Sequence, residues 1–177
     1  NFSSFICRTI RPNITSRLLY GKLLEALGSK NIYAINFTKK NSKRRHFSKY
    51  MSFGNMIFLY NSQYSKNRNI SSLLLLIKTK DNSMLLTADA HYEHISRDIL
   101  CQLDYKHQHH LVVPHHGGKA GKFLYNIPAS ASAGNAVISF GKNNYKHPNQ
   151  EYIDSLFKKK FTICKTNEDA DGIHISL

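Results

Sequence analysis

The longest unbroken apolar run in this chain, residues 73–77 (Leu-Leu-Leu-Leu-Ile), is only five residues long. A membrane-spanning helix needs about 20 consecutive apolar residues, so no span is expected. A run with no polar alternation suits a strand covered on both faces rather than one with a wet side. Residues 111–113 (Leu-Val-Val) form a second, shorter run of the same kind. The 177 residues, 41% hydrophobic and 11% aromatic, suffice for one domain of common size and exclude wholesale disorder. Nine Gly and four Pro exclude collagen-like and linker-type chains. The opening Asn1-Phe2-Ser3-Ser4-Phe5 has no charged segment leading into an apolar one, so no signal peptide is expected. It also lacks an initiator Met. The cysteines Cys7, Cys101 and Cys164 are odd in number and widely spaced, which points to small buried side chains in a reducing, cytoplasmic compartment.

Periodicity predicts an alternation of strands and helices. A helix over 15–27 presents Leu18, Leu19, Leu23, Leu24 and Leu27 as one stripe. Strands are expected at 32–37 and 56–60, with a polar, basic loop at 38–46 between them. Residues 72–77 and 84–87 read as a hairpin closed by a turn at 78–82. A helix over 91–103 follows, with Ile95, Ile99, Leu100 and Leu103 inward, then a strand at 111–113 and another at 136–140. Pro148 suits the first position of a helix whose inner face is Tyr152, Ile153, Leu156 and Phe157. Closing strands are expected at 161–164 and 173–177. The whole reads as an α/β chain with a mixed sheet and flanking helices.

Charge is unevenly spread. The net charge is +14, and residues 1–50 hold 11 Lys and Arg against a single acid, Glu25. Lys39, Lys40, Lys43, Arg44 and Arg45 fall within seven positions, with Phe37, Phe47 and Tyr50 nearby. Cations release counterions from phosphates and aromatics stack on bases, so this segment favours a nucleic-acid partner. A solvated lysine-rich surface is the plain alternative.

Three polar positions share one placement. Asp89 follows the strand at 84–87, His115 and His116 follow 111–113, and His147 follows 136–140. Loops beyond strand ends gather at one sheet edge, where ligands bind. A carboxylate and imidazoles converging there suit Zn²⁺, Mn²⁺ or Fe, and two such metals can stabilise both oxygens of an in-line displacement. Each residue has a simpler role open to it: Asp89 as a helix cap, His115-His116 as a turn pair, His147 as a loop residue. His91, His94, His107, His109 and His110 read as a solvated face.

The ordered motifs 69–76, Leu86-Thr87-Ala88-Asp89, Val113-Pro114-His115-His116-Gly117-Gly118, Ile138-Ser139-Phe140-Gly141 and Asn144-Tyr145-Lys146-His147-Pro148 resemble the C-terminal half of a metallo-β-lactamase-fold hydrolase. Among such hydrolases they are most similar to the DNA-uptake competence nuclease domains. The resemblance covers residues 50–177. It implies one half of a four-layer αββα sandwich, a partial domain over 1–177 with a basic segment 1–50 and a motif-bearing core 51–177. It also implies Asp89 as a metal-bridging carboxylate, His147 as a late metal ligand, and His116, with His115 beside it, as a ligand or the acid that protonates the leaving oxygen. Gly117 and Gly118 would let backbone amides approach a phosphate, and Asn69 would order a strand entrance. The family's His-x-His-x-Asp-His motif is absent, Ala88 stands where the family has Gly, and Gly118 stands where it has Ser.

The expectation is therefore the C-terminal part of a two-metal phosphodiesterase or nuclease using Zn²⁺ or Mn²⁺, inactive as this chain alone. The missing N-terminal half, or self-association, would cover its open sheet face. The rival expectations are a non-catalytic basic nucleic-acid-binding module and a small-molecule metallohydrolase.

Overall fold

The computed structural model describes residues 5–8, 22, 25, 32–35, 48–53, 57–61, 72–100, 103, 107–141, 145–167, 173, 175 and 176. The chain divides into two compact units, Asn1–Ser42 and Lys43–Leu177. In the first, β1 (Phe5–Arg8) and β2 (Ile32–Ile35) pair in parallel, with Phe5 opposite Ile32. Strand β2 lies within the stretch read as a strand at 32–37, whereas no strand is expected at β1. Of the helix expected over 15–27, Lys22 and Glu25 are described, and both are helical and exposed. Lys39, Lys40, Lys43, Arg44, Arg45, His46 and Asn69 lie outside the described residues.

The second unit carries a seven-stranded mixed sheet whose spatial order follows the chain. Strands β3 (Ser48–Phe53), β4 (Ile57–Asn61), β5 (Leu73–Lys78) and β6 (Asn82–Leu86) run antiparallel to one another. The β5–β6 hairpin closes tightly, with the Thr79 amide donating to the Asn82 carbonyl at 2.8 Å. From β6 onward the pairing turns parallel, through β7 (Gln108–Val112), β8 (Ser132–Ile138) and β9 (Thr162–Lys165). Parallel neighbours need long crossovers. Helix α1 (Tyr92–Asp98) lies in the β6–β7 crossover and α2 (Gln150–Lys158) in that between β8 and β9.

Because the strand order advances in one direction, crossovers of one hand put every connection on the same face. Ring contacts confirm it. Tyr92 of α1 lies 4.8 Å from Phe123 and 5.9 Å from Tyr125 of the β7–β8 connection, and 5.4 Å from Tyr152 of α2. Beneath this aromatic layer the sheet offers Leu74, Leu76, Leu85, Leu111, Ala136 and Ile138, all buried. Each buried leucine contributes on the order of 1.5–3 kcal/mol of burial. Alternate residues point the other way. Leu75 pairs with Leu86, Leu86 with Val112, Val112 with Val137 and Val137 with Cys164, one apolar row across five strands. Leu75, Leu86, Val112 and Cys164 in that row are half-buried. The apolar runs at 73–77 and 111–113 thus serve two faces, and the mixed α/β sheet with helices is the architecture expected.

Four expectations need correction. His107, His109 and His110 are buried rather than solvated, because β7 begins ahead of residue 111 and each ring finds a partner inside. The His107 Nε2 donates to the Thr79 carbonyl at 3.0 Å. The His109 ring is held between the Ser83 hydroxyl at 2.9 Å and the Tyr125 hydroxyl at 2.6 Å. The His110 Nδ1 accepts from the Asn135 amide at 3.1 Å, an amide released from the ladder by a bulge opposite His110. Such partners make a buried polar side chain tolerable.

Secondly, Pro148 is not the first helical residue. It precedes the cap Asn149, whose side chain accepts from the Glu151 amide at 3.0 Å, and it follows His147 through a cis peptide bond. Thirdly, Phe157 is 71% exposed, since it lies one step around the helix from the buried Tyr152 and Leu156. Lastly, the described residues of the expected closing strand, 173, 175 and 176, have no regular structure.

Candidate functional site

Strands β6, β7 and β8 point the same way, so the loops that follow them meet at one sheet edge. These loops carry Asp89, then His115, His116, Gly117 and Gly118, then His147. The Thr87 hydroxyl donates to the Val112 carbonyl at 2.6 Å, which ties the end of β6 to the end of β7. The His115 amide donates to the Ala88 carbonyl at 2.9 Å and extends that tie into the loops. The Asn149 amide donates to the Gly117 carbonyl at 2.8 Å, joining the third loop to the second.

The backbone at this edge is unusual. Ala88, His115, His116 and Lys146 have positive φ of 47°, 51°, 53° and 58°, and Gly117 follows at 77°. Each left-handed L-residue costs roughly 1–2 kcal/mol, and non-glycine residues seldom adopt it in succession. Pro114–Gly117 makes a tight turn in which the Gly118 amide closes on the His115 carbonyl at 2.7 Å.

Both imidazoles are then fixed by carbonyls. The Nδ1 of His115 donates to the Lys119 carbonyl at 3.1 Å, and that of His116 to the Ser139 carbonyl at 2.6 Å. A carbonyl only accepts, so in each neutral ring the proton sits on Nδ1 and the lone pair on Nε2. His116 is exposed; His115, His147 and Asp89 are half-buried. The His147 ring lies 5.3 Å from that of His115 and is stacked with Tyr145 at 6.0 Å and 21°. Partial burial holds the His147 pKa below the ordinary imidazole range, and His115 and His116 push the same way. The Asp89 carboxylate is near enough to oppose them.

The edge therefore brings together His115, His116, Gly117, Gly118 and His147, with Asp89 within electrostatic reach. Asp89 is not the helix cap, because His91 holds that position two residues on. His91 and His94 sit apart at the start of α1 with their rings 5.9 Å from each other. Sequence reasoning assigned no role to Tyr145, Ser139 or Lys119. Tyr145 beside His147 was a readable signal, but carbonyl acceptors carry none in the side-chain pattern.

The donor chemistry suits a transition metal in part. Imidazoles whose Nδ1–H is bound by a carbonyl present Nε2 as metal-ligating histidines do. Among the described residues, however, no three His, Cys, Asp or Glu side chains converge as a metal-binding group. The described residues alone do not make a metal centre. Among them, no helix is long and apolar enough to cross a membrane. No family model, no curated protein and no solved structure matches this chain.

Proposed function

We propose that this chain is the C-terminal part of a metal-dependent hydrolase of the metallo-β-lactamase type, acting on phosphodiesters in its complete form. The observation that carries this reading is the pair His115 and His116, both clamped at Nδ1 by carbonyls and both placed at the edge shared with Asp89 and His147. In this reading Asp89, His116 and His147 are the late members of a Zn²⁺ or Mn²⁺ ligand set. The remaining ligands would come from the rest of the protein, whose sheet would complete a four-layer αββα sandwich against the row Leu75, Leu86, Val112.

The work left to these residues is positional. The turn at Gly117 and Gly118 holds two imidazoles at a fixed spacing without side chains in the way. A protonated His115 can pass its Nε2 proton to a leaving oxygen, general acid work that histidine side chains most often do.

The test is metal content and phosphodiester cleavage by the full-length gene product. Asp89→Asn and His116→Ala should each lower turnover at least about 100-fold, the scale of a lost acid or ligand. The 177-residue chain should hold no two tightly bound metals. A full-length protein without metal and without cleavage overturns the reading. A second reading, a basic nucleic-acid-binding module without catalysis, is favoured by one observation, that no three metal-ligating side chains converge among the described residues.

A further inference from the structure

Tyr145 is 79% exposed, the most exposed of the large hydrophobic side chains described. A ring that contributes so little to the core gains little for the fold by standing in water. It nevertheless lies nearly parallel to His147, and His147 in turn meets His115. The three rings form a run from the surface down to the turn that holds His116. The described loop residues at this edge also carry Lys119, Lys122 and Lys146, against Asp89 and Glu93, whose carboxylate accepts from the Lys122 amide at 3.0 Å. The described lysines Lys119, Lys122 and Lys146 are exposed. Their surplus charge draws anions to this edge.

We propose that this edge takes single-stranded nucleic acid, with one unpaired base lying on Tyr145 and the adjoining phosphate drawn to the exposed ammonium group of the neighbouring Lys146. The inference rests on the reading of this edge as the place where a phosphodiester is held, and it names the substrate class. An aromatic face stacks on any base that offers its own face. Bases inside a duplex are stacked on each other and cannot offer theirs, so the platform selects single strands. Because stacking reads no hydrogen-bond pattern, recognition is tolerant of sequence.

The experiment is fluorescence anisotropy in EDTA with a labelled 12-mer of thymidylate and a 12-mer of abasic sugar-phosphate as probes. Tyr145→Ala should weaken binding of the base-bearing strand by about 5- to 100-fold, the range for one stacked base. It should leave the abasic strand within about twofold, and Tyr145→Phe should restore the wild-type value, since stacking needs no hydroxyl. Circular dichroism of the exposed-site variants shows whether they are folded. Equal affinity of wild type and Tyr145→Ala for the base-bearing strand overturns the proposal. So does equal weakening on both probes, or a wild type that binds the two probes alike. Binding in EDTA is independent of turnover. A full-length protein that binds through Tyr145 and cleaves nothing therefore supports this proposal and overturns only the hydrolase reading.

Discussion

Gly118 lies flat against the imidazole of His147. A Cβ built on Gly118 would stand 2.6 Å from the ring Nδ1 and 2.8 Å from its Nε2, distances no side chain tolerates. The His147 ring occupies the space that any side chain at position 118 would need, so the glycine there and the position of His147 are one feature.

Replacing Gly118 by Ala should therefore move His147 off its stack with Tyr145 and away from His115. The expected stability loss is about 1–3 kcal/mol, the usual scale for an overpacked site. The specific readout is the His147 ring resonance in an NMR spectrum. It should shift and titrate at higher pH, because the neighbours and burial that hold its pKa down are lost. An unmoved resonance would contradict the geometry.

Ala88 offers the opposite experiment. Its φ of 47° is left-handed, which costs an L-residue about 1–2 kcal/mol. Glycine removes that cost but has a looser unfolded chain, which offsets about 0.4–1 kcal/mol. Ala88→Gly should stabilise the protein by about 0.5–1 kcal/mol in urea unfolding. A lower midpoint at unchanged m-value would show that Ala88 is not strained.

His109 should make the fold acid-sensitive. Burial, then the neighbouring His110 and His107, push its pKa from 6.5 down to about 3. The unfolded chain takes up a proton below pH 6.5 while the folded ring stays neutral. The stabilisation is therefore complete above pH 6.5 and falls as the pH drops toward 3, by roughly 4–5 kcal/mol in all. His110 is shifted the same way by burial and adds to the slope. Unfolding free energies for wild type and His109→Gln between pH 7 and 4 provide the check. The variant should be less stable at pH 7 and should show a clearly shallower slope; parallel slopes would remove His109 from the effect.

Leu85 and Leu86 test the two faces of the sheet. Leu85 is fully buried under the helices, and Leu86 is half-buried on the opposite face. Leu85→Ala should cost about 2–5 kcal/mol, Leu86→Ala less than half of that. Apolar rows left half-covered promote association, so sedimentation velocity should show self-association that Leu86→Lys reduces. Comparable losses for the two alanine variants, or a strictly monomeric wild type, would argue against the two-faced reading.

Much of the sheet was legible along the chain. Leu73 to Ile77 and the return through Met84 announce a hairpin because consecutive apolar residues tolerate no exposed face. Asp89, His115, His116 and His147 were placed at one edge because each follows a strand, and parallel strands end together. The beginning of β7 was not legible. Gln108, His109 and His110 are polar by any local criterion, and only Ser83, Tyr125 and Asn135, brought from 16 to 26 positions away, supply the hydrogen bonds that let the histidines enter the core.

The sequence by itself determined the order of strands and helices from β4 to β9, the single long apolar hairpin and the set of polar residues that close on one edge. These follow from local hydrophobic periodicity, which each segment carries alone. The left-handed turn at His115, His116 and Gly117 was decided only in three dimensions. So were the Nδ1 clamps from Lys119 and Ser139 and the fit of His147 over Gly118. Ala88, His115, His116 and Lys146 have no intrinsic preference for positive φ. They take it because hydrogen bonds between loops, such as His115 to Ala88 and Asn149 to Gly117, form only once β6, β7 and β8 lie side by side.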